Sequence, residues 1–184
     1  VDTLDAQAEV ALHTKVEAAD YKPNQPQGYV FTAKAKNALE RTDVLFEEVF
    51  GPSTLFIEAD TTEELYNLAR KMEGQLTATI HGTPEDLQEH QELIDVLERK
   101  AGRLVFNSFP TGVEVCHAMI HGGPYPATTA AGTTSVGTKA IERFARPVCY
   151  QGFPQASLPD ELKDANPLNI WRLVDNKHTD GKIS

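Results

Sequence analysis

Between Ser53 and Asn107 the chain repeats one pattern, a short run of strand-forming residues followed by a capped amphipathic stretch, and few folds accommodate it. Ser53-Thr54-Leu55-Phe56-Ile57-Glu58 reads as a strand. Thr61 follows as a helix N-cap with Glu64 three residues on, the spacing at which side chain and backbone satisfy each other's orphan amides. Leu65, Leu68, Ala69 and Met72 share one helical face, and Gly74 is expected to stop the helix. Leu76-Thr77-Ala78-Thr79-Ile80 is the next strand. A second helix opens with Thr83 as N-cap and Pro84 in its first turn, repeats Leu87, Ile94, Leu97 and Ala101 on one face, and closes at Gly102. Arg103-Leu104-Val105-Phe106-Asn107 is the third strand. A β-α-β-α-β order with single-helix crossovers predicts three parallel strands covered by helices. The fold class is α/β, a parallel sheet with flanking helices.

The flanks are less regular. Leu4, Ala8, Ala11, Leu12 and Val16 have roughly helical spacing, and residues 22–28 form a Pro- and Gly-containing linker before a short strand at Tyr29-Val30-Phe31. Residues 1–28 are therefore expected to be an irregular or helical lead-in. Pro110 to Gly137 is rich in Gly, Pro and Thr and reads as an ordered loop along a ligand-facing edge. A short helix is expected from Thr138 to Phe144 and a strand at Val148-Cys149-Tyr150. Beyond Pro154 the tail should be irregular, with one helical turn near Asp160. This organisation gives a lead-in of 1–28, an α/β body of 29–144 and a C-terminal strand and tail of 145–184.

Bulk chemistry excludes several classes. With a formal charge of -10, nucleic acid and anionic membrane surfaces are disfavoured as partners. No apolar run is long enough to span a bilayer. Two cysteines, Cys116 and Cys149, are too few for a disulfide framework, and no secretory signal is evident, so a reducing cytoplasm is the expected setting. The chain begins at Val1 rather than Met, as an excised or processed piece would.

The sharpest local feature is Glu47-Glu48-Val49-Phe50-Gly51-Pro52, immediately before the first strong strand. A carboxylate there can accept hydrogen bonds from both hydroxyls of a ribose, and an aromatic ring can pack on a sugar or nicotinamide. Its plainer reading is a solvated acidic pair before a turn, with Phe50 in the core. His117 and His121 lie four apart, but Ala118 stands where the metalloprotease pattern needs Glu and no third ligand is evident, so no metal is expected. Gly132 to Lys139 nearly matches a phosphate-binding loop, yet the lysine arrives one residue late and no strand precedes it. A dinucleotide glycine fingerprint and a nucleophile elbow are both lacking. Cys149 lies in an expected strand and reads as a packing residue.

Together these segments resemble the aldehyde dehydrogenase superfamily. The resemblance runs from about residue 29 to the end, and rests on Glu47 to Pro52, the β-α-β-α-β run, and Arg103 to Asn107 closing it. More specific are Asn107-Ser108-Phe109-Pro110-Thr111-Gly112-Val113-Glu114-Val115 and His121-Gly122-Gly123-Pro124-Tyr125-Pro126-Ala127-Thr128-Thr129. These, with Arg143 to Gln151, resemble the branch of 2-oxoglutarate semialdehyde (2,5-dioxovalerate) dehydrogenases and NADP-dependent fatty aldehyde dehydrogenases. The resemblance makes the body the distal part of a catalytic domain.

It also implies NAD(P)-dependent oxidation of an aldehyde to a carboxylate, with a cysteine thiolate as nucleophile, hydride passing to the nicotinamide, and glutamate-activated water completing hydrolysis. By position, Glu48 matches the carboxylate that binds the nicotinamide-side ribose and Phe50 the aromatic residue beside it. The nucleophile, the general base, the oxyanion asparagine and the dinucleotide-binding domain all belong upstream, and no cysteine precedes Glu48. Asn107 is a different asparagine, Cys116 and Cys149 do not inherit the nucleophile's role, and no catalytic residue is assigned to this chain. The expected partners are an aldehyde, NADP (or NAD), the remainder of the enzyme, and further copies joined in a homo-oligomer through residues 145–151. Alone, the chain should be inactive. The competing reading is a binding or interaction domain that kept the fold and lost the chemistry.

Overall fold

In the computed structural model, which describes residues 4, 10–15, 27–110 and 112–183, Leu4 is helical, as expected for the lead-in, and the next described segment is a strand. Val10–Lys15 (β1) pairs antiparallel with Tyr29–Lys34 (β2). This corrects the helical lead-in over those residues: the cross-strand ladder overrides a weak 3.6-residue spacing. Most of the remaining lead-in and linker lies outside the described residues. Two short helices that sequence spacing did not reveal follow, Ala35–Glu40 (α1) and Thr42–Leu45 (α2). Ser53–Glu58 (β3) then forms over the residues expected and runs parallel to β2, in register from Tyr29 beside Ser53 to Lys34 beside Glu58. The fully buried Phe31 centres a core with Leu4, Ala35, Ala38, Leu45 and Leu68, against which Leu55 and Ile57 pack.

Thr62–Lys71 (α3) is capped by Thr61, whose Oγ1 accepts from the Glu64 N–H at 3.2 Å. The reciprocal half of the expected box goes elsewhere, because the Glu64 carboxylate accepts from the Asp60 N–H at 2.8 Å. Gln75–Ile80 (β4) follows. The crossover after it is two helices, Pro84–Glu89 (α4) and Gln91–Glu98 (α5), not the single helix expected. The break falls at His90, where Nδ1 meets the Tyr66 hydroxyl of α3 at 2.9 Å. Ala101–Phe106 (β5) pairs parallel with β4, so Gly102 lies inside a strand and does not cap a helix. Ala69, Val96 and Leu97 bury a second core against Ala78, Ile80 and Leu93.

The three strands expected from the β-α-β-α-β run all form, but among the described residues they do not make one ladder. β3 is hydrogen-bonded to β2 and β4 to β5, giving separate sheets in the orders β1-β2-β3 and β4-β5. Periodicity reports which face of a strand is covered, not which strand lies beside it.

A complete capping box does form at α4. The Thr83 N–H donates to Asp86 Oδ2 at 2.7 Å, and the Asp86 N–H donates to Thr83 Oγ1 at 3.2 Å. The Thr83 backbone N–H, then its side chain, holds the Asp86 carboxyl below the ordinary 3.8. A depressed carboxyl stabilises the fold above its unfolded pKa, and that contribution is lost as pH falls through the lower folded value. The urea midpoint of the chain should therefore exceed that of Asp86→Asn at neutral pH, with the gap closing below about pH 4. A gap unchanged by acid would refute the assignment.

The structure divides into two units, residues 1–144 and 145–184. Thr138–Phe144 is a 3-10 helix, and the turn near Asp160 is a 3-10 turn over Asp160–Leu162. The strand expected at Val148 to Tyr150 does not form; those residues are irregular and exposed, and no strand pairs with them among the described residues. A hairpin that the sequence reading passed over joins Arg172–Val174 (β6) to Lys177–Thr179 (β7). Its turn residues Asp175 and Asn176 both have positive φ, 47° and 63°, as a two-residue hairpin turn matched to strand twist requires. Asn166, 2% exposed, donates from Nδ2 to the Ile170 and Asp180 carbonyls and accepts from the Ile170 N–H. Arg172 donates to the carbonyls of Lys163 and Gly181. Among the described residues no helix is long and apolar enough to cross a membrane.

Candidate functional site

Glu48 sits in the irregular segment between α2 and β3, and both ends of that segment are fixed. Phe46 closes α2, its N–H donating to the Thr42 carbonyl at 3.4 Å. At the other end Gly51-Pro52 turns the chain into β3, and the Pro52 carbonyl accepts the Tyr29 N–H at 2.9 Å as the first rung of the ladder. Val49 packs against the first core, while Glu48 and Phe50 on either side of it are exposed.

Glu48 lines a cleft of about 440 Å³ whose other walls are Phe46, residues 73–77, and Pro126 with Ala127. The last two arrive because a loop lies flat on the strand backbone. A Cβ on Gly74 would stand 2.2 Å from the Pro124 carbonyl oxygen, one on Gly102 2.0 Å from that of Gly122, and one on Gly123 2.4 Å from that of Gln75. Real side-chain atoms do not approach so closely, so only glycine lets the loop cross there. Behind the crossing, Thr134 Oγ1, 2% exposed, accepts from the His121 N–H at 2.8 Å and donates to the Val136 carbonyl at 2.7 Å. The cleft wall is thus held by backbone contact and one buried hydroxyl.

Two acidic residues, Glu48 and Glu73, line this cleft, and among the described residues no Lys or Arg does. An acidic, cation-free lining favours hydroxyl donors over phosphate or carboxylate groups. Phe50 is not part of the lining; its ring is 98% exposed, the most exposed large apolar side chain described. The plainer reading of Phe50 as a core residue is corrected: Val49 occupies the core instead.

The other residues weighed on sequence take up structural work. His117 Nδ1 lies 2.8 Å from the Thr138 hydroxyl, and His121 engages the Thr134–Ser135 turn through its backbone. Thr134, inside the near phosphate-loop, uses its hydroxyl internally. Asn107 Nδ2 donates to the Gly82 carbonyl at 2.7 Å and its Oδ1 accepts the Gly82 N–H at 2.9 Å, clasping the ends of β4 and β5. Arg103 donates to the carbonyls of Gly112 and Pro110. Cys116 and Cys149 are free thiols, Cys149 exposed rather than packed. Sequence reasoning missed Glu73, Gly74, Pro126 and Ala127 as cleft walls. The available signal was the Gly- and Pro-rich run from Pro110 to Gly137, expected to be an ordered loop along a ligand-facing edge, which did not say which residues it would face.

Known proteins bear on this arrangement. No family model matches the chain. It is 54% identical over 151 residues to the alpha-ketoglutaric semialdehyde dehydrogenase of Acinetobacter baylyi, covering 82% of this chain and 29% of that protein. It is likewise 54% identical over 130 residues to alpha-ketoglutaric semialdehyde dehydrogenase 2 of Azospirillum brasilense, covering 71% of this chain and 25% of that one. The chain belongs to the aldehyde dehydrogenase superfamily. It spans under a third of the length of these relatives and corresponds to their C-terminal portion. The fold agrees: an apo betaine aldehyde dehydrogenase from Staphylococcus aureus superposes with a TM-score of 0.50 at 18% identity, covering 83% of this chain and 30% of that chain. An aldehyde dehydrogenase fragment of this extent has the α/β character expected from its sequence, with parallel strand pairs flanked by helices.

Proposed function

We propose that the chain is the distal part of an NAD(P)-dependent aldehyde dehydrogenase that oxidises 2-oxoglutarate semialdehyde, and that Glu48 and Phe50 are its contribution to the cofactor site. The observation that carries this reading is the 54% identity to two relatives bearing that substrate in their names. The cleft fits the assignment chemically. An ionised carboxylate accepts hydrogen bonds from both hydroxyls of a ribose, and the cation-free lining suits the sugar rather than the pyrophosphate. Phe50 offers an aromatic face open to a sugar or nicotinamide ring.

When bound, the nicotinamide accepts the hydride removed from the substrate. The work of this chain is positional: Glu48 fixes the sugar, Phe50 restricts its neighbour, and the loop at Pro126–Ala127 limits how far the sugar can shift. The nucleophile, the base and the dinucleotide-binding domain come from polypeptide beyond this chain. NADP rather than NAD follows the branch it resembles. The same reading gives a reducing cytoplasm as the setting, compatible with two free thiols, and assembly through the exposed residues 145–151.

The test is a chimera in which this chain replaces the matching segment of the Acinetobacter baylyi enzyme. It should oxidise 2-oxoglutarate semialdehyde with NADP or NAD, while the 184-residue chain alone turns over no aldehyde. Turnover by the isolated chain, or a folded chimera that binds no nicotinamide cofactor, would overturn the reading.

A further inference from the structure

On β5, the partly buried side chain of Arg103 meets backbone carbonyls and a sulfur. Its Nη1 donates to the Gly112 carbonyl at 2.9 Å and to Met119 Sδ at 3.8 Å, and its Nη2 to the Pro110 carbonyl at 3.4 Å. Nε is buried with no hydrogen-bond partner among the described residues. Nor does any carboxylate among them form an ion pair with this guanidinium. A guanidinium is a cation with five N–H donors, and carbonyl oxygens occupy the donors while leaving the charge uncompensated.

An uncompensated cation invites a role as the seat of the proposed substrate's carboxylate, but its donors are not free for one. A carboxylate grips a guanidinium through two parallel N–H groups, one on each Nη or Nη2 with Nε. Here Nη1 is committed to two acceptors and Nε is shut off by burial, so neither fork is open. What the acceptors share instead is one loop. They lie seven, nine and sixteen residues beyond Arg103, so a single side chain closes residues 112–119 into a lobe and sits at its base. The lobe's own apolar side chains do not hold it, since Val113 and Val115 are exposed. Soon after Met119 begins the stretch 121–127, which lies against Gly102 and ends at Pro126 and Ala127, walls of the Glu48 cleft.

We propose that Arg103 is a positioning residue: it fixes the base of the 112–119 lobe and, through Met119, the stretch that walls the Glu48 cleft, and it does not grip the substrate's carboxylate. A planar fork suits this work. It meets acceptors on separate parts of the loop from one rigid group, which a single ammonium on a flexible stem does not span. The effect on turnover rests on the proposed dehydrogenase function; the anchoring of the loop does not.

Two variants test it, Arg103→Met, which removes every donor, and Arg103→Lys, which keeps a cation. In Arg103→Met the amides of His121 and Ala127, bonded to Thr134 Oγ1 and the Pro124 carbonyl, should exchange roughly tenfold faster than in the unmodified chain. Those of Leu45 and Met72, bonded in helices away from the loop, should not change and so report an intact fold. In the chimera, kcat should fall about tenfold for 2-oxoglutarate semialdehyde and for uncharged pentanal alike, with the cofactor KM raised. Arg103→Lys should recover only part of both effects. A loss confined to the semialdehyde and restored by Lys would make Arg103 the carboxylate's partner and overturn the inference. Unchanged exchange at His121 and Ala127 in a folded variant would overturn it too, as would faster exchange there with unaltered kcat and cofactor KM. A chimera that binds no nicotinamide cofactor defeats the proposed function, while the exchange rates still decide whether Arg103 anchors the loop.

Discussion

Glu48→Ala in the chimera should lower turnover about a hundredfold with the protein still folded, because a reacting group displaced by about an ångström loses that much. Glu48 lies outside both cores, is exposed and lines the cleft, so its removal leaves packing intact. Glu48→Gln keeps an acceptor and loses the charge. Charge-assisted hydrogen bonds exceed neutral ones by about 1.4 kcal/mol, so this variant should fall roughly tenfold. Steady-state rates at saturating cofactor, together with the cofactor KM, measure both. Wild-type turnover in Glu48→Ala would remove the carboxylate from the cofactor site altogether.

Gly102→Ala should be the most destabilising glycine-to-alanine change among the described residues, by about 3 kcal/mol. The added Cβ would stand 2.0 Å from the Gly122 carbonyl oxygen and 3.0 Å from the Gly123 Cα, both backbone atoms that no rotamer change can move aside. Relief requires lifting the loop off β4 and β5, which carries Pro126 and Ala127 away from Glu48. Gly132→Ala is the matched control, since nothing lies within 4 Å of a Cβ there, and should fall within about 0.5 kcal/mol of wild type. Urea denaturation of the three proteins gives the comparison. Equal midpoints for Gly102→Ala and Gly132→Ala would show that the crossing is looser than its geometry.

What the sequence disclosed and what it hid divide along a physical line. The strand at Ser53–Glu58, the caps at Thr61 and Thr83 and the 3-10 turn near Asp160 were legible because each depends on residues a few positions apart. The break at His90 was not, because the Tyr66 hydroxyl that meets the ring is 24 residues away. Nor was β1, whose partner β2 overrode the helical spacing around it. At the site, Glu48 and Phe50 stood out through resemblance to a family, and composition alone favoured burying Phe50. The rest of the cleft depends on where a loop lies across two strands, which only the glycine crossing reveals.

The C-terminal unit is held differently from the body. Its large apolar side chains, Phe153, Trp171 and Leu173 among them, are mostly exposed, whereas Asn166 and Arg172 reach carbonyls spread from residue 163 to 181. Two polar spokes thus gather a segment with little oil of its own. Most outward side chains there are free to vary with whatever surface they meet, while the hub positions are not, and heat should loosen this unit without first dissolving the cores of the other.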